Sequence, residues 1–264
     1  SSAFGKQLPA AAVIDLEQRT RESNFDFRNG RDRRCLGTNR YFQKVRSRVV
    51  MGHAIRGMDE SLLKMLLDDP DKPFRVPGST ILKDSRTSTV AELVIQTPAG
   101  ARRMIWKRFQ VKKPLTALLN RLRLSPALRS WQAGHAFLDR DLPTARPWLV
   151  LHRRSLLCEK IDDALDLQRA VELLQQSFKS KRDALTGLAR LIREMHDLRL
   201  SHRDLKAVNV LWRPTQNSFH FIDLVGVCKH RRLSKAVRIK NLARLLVSFA
   251  QNPHLTRTDR LRFL

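Results

Sequence analysis

The pattern of apolar and polar positions is most regular between residues 79 and 111. Three runs there, 79–84, 89–97 and 102–109, are β-branched or alternate between apolar and polar residues. Alternation with a period of two places successive side chains on opposite faces of a sheet. Thr97-Pro98-Ala99-Gly100 supplies a turn between the last two runs. The pattern therefore predicts an antiparallel meander.

One helix and two more strands are predicted directly after the meander. Ser125-Pro126 is a typical helix start, and the helical pattern continues to about residue 140, before Leu142-Pro143. The apolar runs 148–152 and 155–159 have the length of short strands.

Helical periodicity dominates from residue 161 onwards. Apolar residues recur at helical spacing over about 181–199, at Leu185, Leu188, Ile192 and Met195. Short strands are predicted at 209–212 and 219–222, and helices at 234–250 and, earlier in the chain, at 59–67. This order predicts an α+β fold in which a small antiparallel β-rich lobe precedes a mainly helical lobe.

The first fifty residues have no clear periodicity and are strongly basic. Glycine and asparagine interrupt the pattern, which favours a flexible basic arm or a poorly packed extension. We therefore predict a basic extension at 1–75, the β-rich lobe at 76–160 and the helical lobe at 161–264. The sequence has no initiator methionine and ends within a predicted helix, which suggests a fragment with a truncated helical lobe.

Composition restricts the class of protein. The chain has 264 residues, 42% of them apolar, which is typical of a globular protein. Its formal charge of +26 favours an anionic partner: nucleic acid, an acidic membrane face or a phosphorylated substrate. Aromatic residues make up only 6% of the chain, which argues against a base-stacking RNA platform.

Cysteine spacing and hydropathy indicate a cytoplasmic protein. Cys35, Cys158 and Cys228 are far apart and form no CxxC pair, so neither a zinc site nor a disulfide framework is expected. No apolar run is long enough to cross a bilayer, and the first residues do not resemble a signal peptide.

Candidate chemistry is concentrated in the stretch His202-Arg203-Asp204-Leu205-Lys206-Ala207-Val208-Asn209. Phosphoryl transfer requires a carboxylate near the attacking hydroxyl, cations on the phosphates and oxygen ligands for magnesium. Asp204 could orient or deprotonate the hydroxyl, Lys206 could neutralise the moving phosphoryl group, and Asn209 could bind Mg²⁺.

Two residues outside this stretch complete the candidate site. Asp223 lies fourteen residues beyond Asn209, and the intervening segment has the length of a β-hairpin, which would return Asp223 to Asn209. Lys107 lies inside an apolar strand, where an unpaired charge is costly, so we expect it to face an anion.

The set of residues resembles that of protein-kinase-like enzymes. These enzymes carry H-R-D-L-K-x-x-N, a later magnesium-binding Asp and a strand lysine. Here the matching residues are His202, Arg203, Asp204, Leu205, Lys206, Asn209, Asp223 and Lys107, and Met195-His196 resembles the Leu-His pair that precedes the loop in kinases.

Within that superfamily, the sequence resembles the lipopolysaccharide kinases, the Kdo and heptose kinases of bacterial envelopes. The similar stretches are residues 125–154, Leu82-Lys83-Asp84 with Lys107-Arg108-Phe109, and 241–245. The resemblance implies a two-lobed kinase fold that uses ATP and Mg²⁺ to phosphorylate a sugar hydroxyl of the lipopolysaccharide inner core. Lys107 would then bind the α- and β-phosphates, and Asn209 and Asp223 would hold magnesium. It also places the reaction at the cytoplasmic face of the inner membrane, with peripheral membrane contact.

Several positions depart from the usual kinase pattern. The turn at 84–89 has hydroxyls and Arg86 in place of glycines, and Ser130 stands where kinases carry the glutamate that pairs with the strand lysine. We expect Glu92 or a bound phosphate to balance Lys107 instead. Asn241 occupies a position where kinases often have an Asp that braces the catalytic loop, and its amide could serve there.

Two further expectations concern the edges of the site. Glu159 falls at the hinge position where adenine would bond to the backbone. The basic run 229–240 could hold substrate phosphates or anionic lipid, or could be a solvated face. The alternatives that remain open are a Ser/Thr protein kinase on the same scaffold, a catalytically inactive pseudokinase and, on charge alone, a nucleic-acid binder.

Overall fold

A computed structural model describes residues 24–97, 100–110, 124–152, 154–175 and 178–263. The predicted turn at 97–100 has its two central residues outside the described part. Strands β1–β12 and helices α1–α7 are numbered in chain order.

The largest element is a seven-stranded sheet with the order β1-β2-β6-β7-β5-β4-β3. All its neighbouring strands pair antiparallel. The strands are β1 (Phe42–Arg46), β2 (Met51–Ile55), β3 (Thr80–Asp84), β4 (Ser88–Thr97), β5 (Gly100–Phe109), β6 (Pro147–Leu151) and β7 (Ser155–Glu159). The predicted antiparallel meander is confirmed as β3-β4-β5, and the two later strands join it as β6 and β7.

The expectation of a loosely packed arm is wrong for the described residues of the first fifty. Residues 24–32 form helix α1, and β1 and β2 extend the sheet rather than lying apart from it. Trp131 donates its indole N–H to the carbonyl of Cys35 at 3.0 Å, and Phe42 packs edge-on against Trp131. This segment therefore belongs to the folded core, whereas the predicted boundary at residue 75 stays a prediction.

Four helices match the predicted ranges 59–67, 125–140, 181–199 and 234–250 to within three residues at each end. The helices after α1 are α2 (Glu60–Asp68), α3 (Pro126–Leu138), α4 (Leu167–Leu174), α5 (Phe178–Asp197), α6 (Lys235–Val247) and α7 (Arg257–Phe263). Ser125 caps α3 by accepting the N–H of Leu128, and Ser234 caps α6 by accepting that of Val237. The Ser-Pro start of α3 was thus a valid signal.

Two small sheets, of three and two strands, lie outside the seven-stranded sheet. The β10 (Val210–Arg213) and β11 (Ser218–Phe221) hairpin is extended by β8 (Leu165–Asp166), and β9 (Leu200–His202) pairs with β12 (Val227–Lys229). The short strands β8, β9 and β12 were not predicted, because two or three residues are too few to show a period.

Both faces of the seven-stranded sheet are covered by helices. On one face Leu62 and Leu66 of α2 pack with Met104 and Trp106, and on the other Trp131 of α3 packs with Phe109. Alternation along β5 therefore places Lys107 on the α3 face, beside Phe109. A separate core of leucine, valine and aromatic side chains joins α4, α5, β10 and β11.

Gly52 allows the close approach of β2 and β6. A Cβ on Gly52 would lie 1.9 Å from the carbonyl oxygen of Val150, which is fixed in the sheet. We expect Gly52→Ala to lower the free energy of unfolding by about 1–3 kcal/mol, because either strand must shift. The matched control is Gly30→Ala in α1, where no atom lies within 4 Å of the added Cβ. Urea unfolding of both variants checks this, and equal stability of the two would contradict it.

Candidate functional site

The candidate loop is held at both ends by strands. It leaves β9 at His202, passes through a 3-10 turn at Ala207–Asn209 and enters β10 at Val210. The N–H of Arg203 donates to the carbonyl of Gly226, and the N–H of Asn209 donates to that of Lys206. Leu205 and Ala207 are fully buried and anchor the loop in the helical core. Arg203 and Lys206 are exposed, and Asp204 is partly buried.

Asp204 lies at the centre of the loop's polar contacts. Its carboxylate is 2.7 Å from the Lys206 ammonium and accepts a 3.2 Å hydrogen bond from the Asn209 amide. Partial burial acts to raise the pKa of Asp204, but the hydrogen bond and charge of Lys206 outweigh it and hold that pKa below the usual value. Asp204 is thus an ionised carboxylate that is about half exposed.

The hairpin returns Asp223 to Asn209, as its length predicted. Val210 pairs with Phe221 across β10 and β11, and the N–H of Ile222 donates to the carbonyl of Asn209 at 2.9 Å. Asp223 follows with φ of +54°, a left-handed conformation that Asp and Asn adopt more readily than most residues. This conformation ends the strand and turns the chain into the 3-10 turn Leu224–Gly226.

Lys107 and Asp223 form an ion pair across 116 residues of sequence. The ammonium lies 2.7 Å from the carboxylate, with side-chain exposures of 19% and 35%. The expectation that Lys107 faces an anion is confirmed. The suggestion that Glu92 balances it is wrong, because Glu92 pairs with Lys160 at 2.6 Å. Ser130 is buried on α3, and the acid that pairs with Lys107 is Asp223 rather than a residue of that helix.

A buried hydrogen-bond cluster braces the loop from behind. Asn241 accepts the backbone N–H of His202 at 2.9 Å and lies 3.3 Å from the ring of His196. The backbone N–H of Asp204 donates to Nδ1 of His202, so Nε2 carries the proton and donates to the carbonyl of Ile222. Burial lowers the pKa of both His202 and His196, which keeps the rings neutral. The bracing predicted for Asn241 is therefore confirmed.

Replacing Asn241 should weaken the loop's anchorage. Asn241→Ala leaves the buried N–H of His202 without its acceptor, which we expect to cost about 1–3 kcal/mol of unfolding free energy. Asn241→Asp keeps an acceptor oxygen at the same position and should lose much less. Chemical denaturation of the two variants measures the difference. If the aspartate were as destabilising as the alanine, the hydrogen bond would not be the reason.

Side-chain hydroxyl groups stabilise the turn between β3 and β4. Ser85 donates its hydroxyl to the carbonyl of Ser88 at 2.9 Å and accepts the N–H of Ser88 in return. Thr89 donates its hydroxyl to Asp84. A tight turn thus forms without glycine, and the prediction that this turn contacts phosphates stays a prediction.

Glu159 ends β7, and its side chain has structural partners. The carboxylate accepts the indole N–H of Trp148 at 3.0 Å and pairs with Arg102 at 3.3 Å. Its own backbone N–H donates to the carbonyl of Arg146. The side chain is therefore tied to the sheet, and the prediction that adenine bonds to the backbone at this position stays a prediction.

Sequence reasoning missed an ionic cluster beneath α3. The carboxylate of Asp32, 1% exposed, accepts two hydrogen bonds from Arg140 at 2.6 and 3.0 Å and also binds Lys229. The cluster ties α1 to the end of α3 and to β12. No local pattern could have indicated it, because Asp32 lies in a basic segment without apolar periodicity.

The residues at the site suit a magnesium ion that also binds phosphate oxygens. Within the described ranges, no group of three or more His, Cys, Asp or Glu side chains could hold a metal ion alone. Magnesium usually keeps several waters and uses one or two carboxylates with substrate phosphates. Asp223 provides such a carboxylate, and the Asn209 amide, whose nitrogen bonds to Asp204, has its oxygen left for a hard cation.

The antiparallel sheet, the helices and this loop are together consistent with a protein-kinase-like fold. The model of the lipopolysaccharide kinase (Kdo/WaaP) family matches residues 103–264, more than half of the chain, which therefore belongs to that family. A similar protein is the 3-deoxy-D-manno-octulosonic acid kinase of Photobacterium profundum, 37% identical over 103 residues. The matched part covers 39% of this chain and 40% of that relative.

No helix in the described ranges is long and apolar enough to span a membrane.

Proposed function

We propose that this protein is an ATP- and Mg²⁺-dependent kinase that phosphorylates a sugar hydroxyl of the lipopolysaccharide inner core. The observation that carries the proposal is the convergence of Asp204, Asn209, Asp223 and Lys107, which separate segments of the chain contribute to one place. Family membership and the relative that phosphorylates 3-deoxy-D-manno-octulosonic acid support the choice of a saccharide acceptor.

Each side chain has a role that its surroundings support. Asp204, ionised and half exposed, orients the acceptor hydroxyl and takes its proton. Lys206, 2.7 Å from Asp204, stabilises negative charge on the phosphoryl group in transfer. Lys107 binds the α- and β-phosphates of ATP, and its present contact with Asp223 keeps both groups at the same place.

Asn209 and Asp223 are the proposed magnesium ligands. When bound, magnesium would neutralise the phosphate charge that develops during transfer. The sheet and the helical core form the two lobes of the kinase, with the nucleotide between them and the backbone at Glu159 at the hinge. The positions of Lys107 on β5 and of Asp223 after β11 support this arrangement.

The basic character of the chain suits an acceptor with carboxylates and phosphates. Arg231, Arg232, Lys235 and Lys240 lie exposed on and before α6, whose buried face holds the loop through Asn241. We propose that this face meets the anionic acceptor at the cytoplasmic side of the inner membrane, as a peripheral contact.

A transfer assay tests the function. Labelled ATP, Mg²⁺ and purified inner-core lipopolysaccharide are incubated with the wild-type protein or with Asp204→Asn. Label on the saccharide with the wild type alone is the expected result. Label on a test protein but not on saccharide would favour a Ser/Thr protein kinase. No transfer to either acceptor, from folded protein, would contradict kinase activity and favour a pseudokinase.

A further inference from the structure

A second strongly basic site lies apart from the loop that carries Asp204. It is a cavity of about 540 Å³ between α1, the end of α3, the end of α5 and the β9/β12 ribbon. Six cationic side chains line it: Arg28, Arg140, Arg190, Arg193, Arg199 and Lys229. The acids on its lining are Glu194 and Asp197. The cavity has the size of a small-molecule site rather than of a single ion.

The floor of the cavity has an excess of positive charge. Arg140 and Lys229 share one carboxylate, that of Asp32, whose side chain is 1% exposed. Arg140 is itself only 6% exposed. Two cations against one buried anion leave a net positive charge in a poorly hydrated place, and an anion bound above it would reduce that cost.

The walls add arginines that the protein leaves available. Arg28 of α1 and Arg190 of α5 have no acidic partner among the described residues. Asp197, by contrast, is engaged by Arg193 at 3.7 Å and by Arg238 at 3.0 Å. Asp197 therefore offsets part of the charge of Arg193, and the lining still holds six cations against two acids.

We infer that this cavity binds a small molecule that carries two or more phosphate groups. Five of the six cations are arginines, whose planar guanidinium groups bind phosphate oxygens in pairs. Phe25 and Leu198, both partly exposed, supply apolar surface for the rest of the ligand. The ligand is either a free polyphosphate compound or a second phosphorylated part of the acceptor, and both have the same chemistry at this site.

The cavity lies at one end of a short ribbon whose other end is the proposed active site. Lys229 pairs with Leu200 at the cavity, and Val227 pairs with His202 two residues further on, which is about 7 Å of strand. His202 binds the backbone of Asp204, and Gly226, next to Val227, binds that of Arg203. A ligand held at the cavity thus contacts the same two strands that position the loop.

Calorimetric titration with inorganic tripolyphosphate at physiological salt tests the site. Mg²⁺ and nucleotide are left out, because Mg²⁺ binds tripolyphosphate and a nucleoside triphosphate would itself fit the cavity. A parallel titration of Lys107→Ala identifies any binding at the proposed nucleotide site. We expect saturable binding to the wild type and a loss of at least about tenfold in affinity for the double variant Arg28→Ala, Arg190→Ala, because each removes charge-assisted contacts. The matched control is Arg46→Ala, Arg48→Ala, two exposed arginines around β1 that do not line the cavity.

The outcomes are decisive in both directions. Binding that is lost in the cavity variant and kept in the control supports the site. No saturable binding to the wild type, or the same weakening in both double variants, would overturn it, because general surface charge would then explain the result. This test does not require transfer activity, so its result is independent of whether the proposed kinase reaction occurs.

A second readout separates the two sources of phosphate. If the ligand is part of the acceptor, the cavity variant should raise KM for lipopolysaccharide at least about tenfold with KM for ATP unchanged. If KM for lipopolysaccharide stays at the wild-type value while tripolyphosphate binding is lost, the ligand is a free polyphosphate compound. Either result supports the site once binding has been shown.

Discussion

Asp204→Asn is expected to lower kcat for phosphoryl transfer by about 10²–10⁴-fold, the usual size of a general-base contribution. Asparagine has nearly the same shape, so the contact with the Asn209 side chain and the backbone position are retained. What is lost is the charge that Lys206 neutralises at 2.7 Å and, in the proposed reaction, the basic oxygen that would take the hydroxyl proton. Because Lys107 and Asp223 are untouched, KM for ATP should change little.

The matched control for this variant is Asp69→Asn. Asp69 is 43% exposed and pairs with Arg75 at 2.6 Å, while Asp204 is 47% exposed and pairs with Lys206. Both substitutions therefore remove one half-exposed ion pair, but only Asp204 lies on the proposed catalytic loop. Steady-state kinetics with saturating ATP compare them. Activity of Asp204→Asn within about threefold of the wild type, far below the usual general-base effect, would remove Asp204 from the mechanism.

Asp32→Asn is expected to cause the largest loss of stability, about 3–5 kcal/mol of unfolding free energy. The carboxylate is buried and is the common anion for Arg140 and Lys229, which lie on separate elements. An amide leaves both cations without a charge partner in a poorly hydrated place. Urea unfolding at about pH 7 measures the loss, provided that the dependence on urea concentration is unchanged.

Asp69→Asn again supplies the comparison, because its pair with Arg75 is exposed. Exposed pairs contribute about 1 kcal/mol or less, since water and salt screen them. If Asp32→Asn were no more destabilising than Asp69→Asn, the cluster at Asp32 would not hold α1 against α3 and β12.

Local sequence was sufficient to predict the loop and the hairpin, because the structure of both depends on nearby residues. The spacing within 202–209 is short, and the hairpin length after Asn209 brings Asp223 back without any distant contact. The helix starts at Ser125 and Ser234 were likewise visible, since a cap acts within four residues. The antiparallel meander followed from alternation along three adjacent runs.

The packing of the N-terminal segment could not be predicted from local pattern. In β1 only Val45 is buried, and the buried core of β2 consists of Gly52, His53 and Ala54, small or polar residues that give a weak hydrophobic signal. Their burial comes from strand pairing with β6 and from Phe42 against α3. The many arginines suggested a solvated arm, yet Asp32 in the same segment is buried.

The amino-acid sequence by itself determined which residues can do chemistry here and that they belong to a kinase-like pattern, because motif spacing is a property of the chain. Only the tertiary structure decided the charge partners. Lys107 meets Asp223 across 116 residues, and Asp32 meets Lys229 across 197. Ion pairs form between the opposite charges that the fold brings within a few ångströms. Among the described residues, Glu92 pairs with Lys160 instead of Lys107, and α3 contains no acidic residue. The sequence determines which charged residues are present, and the packing of the sheet against the helices determines which of them form pairs.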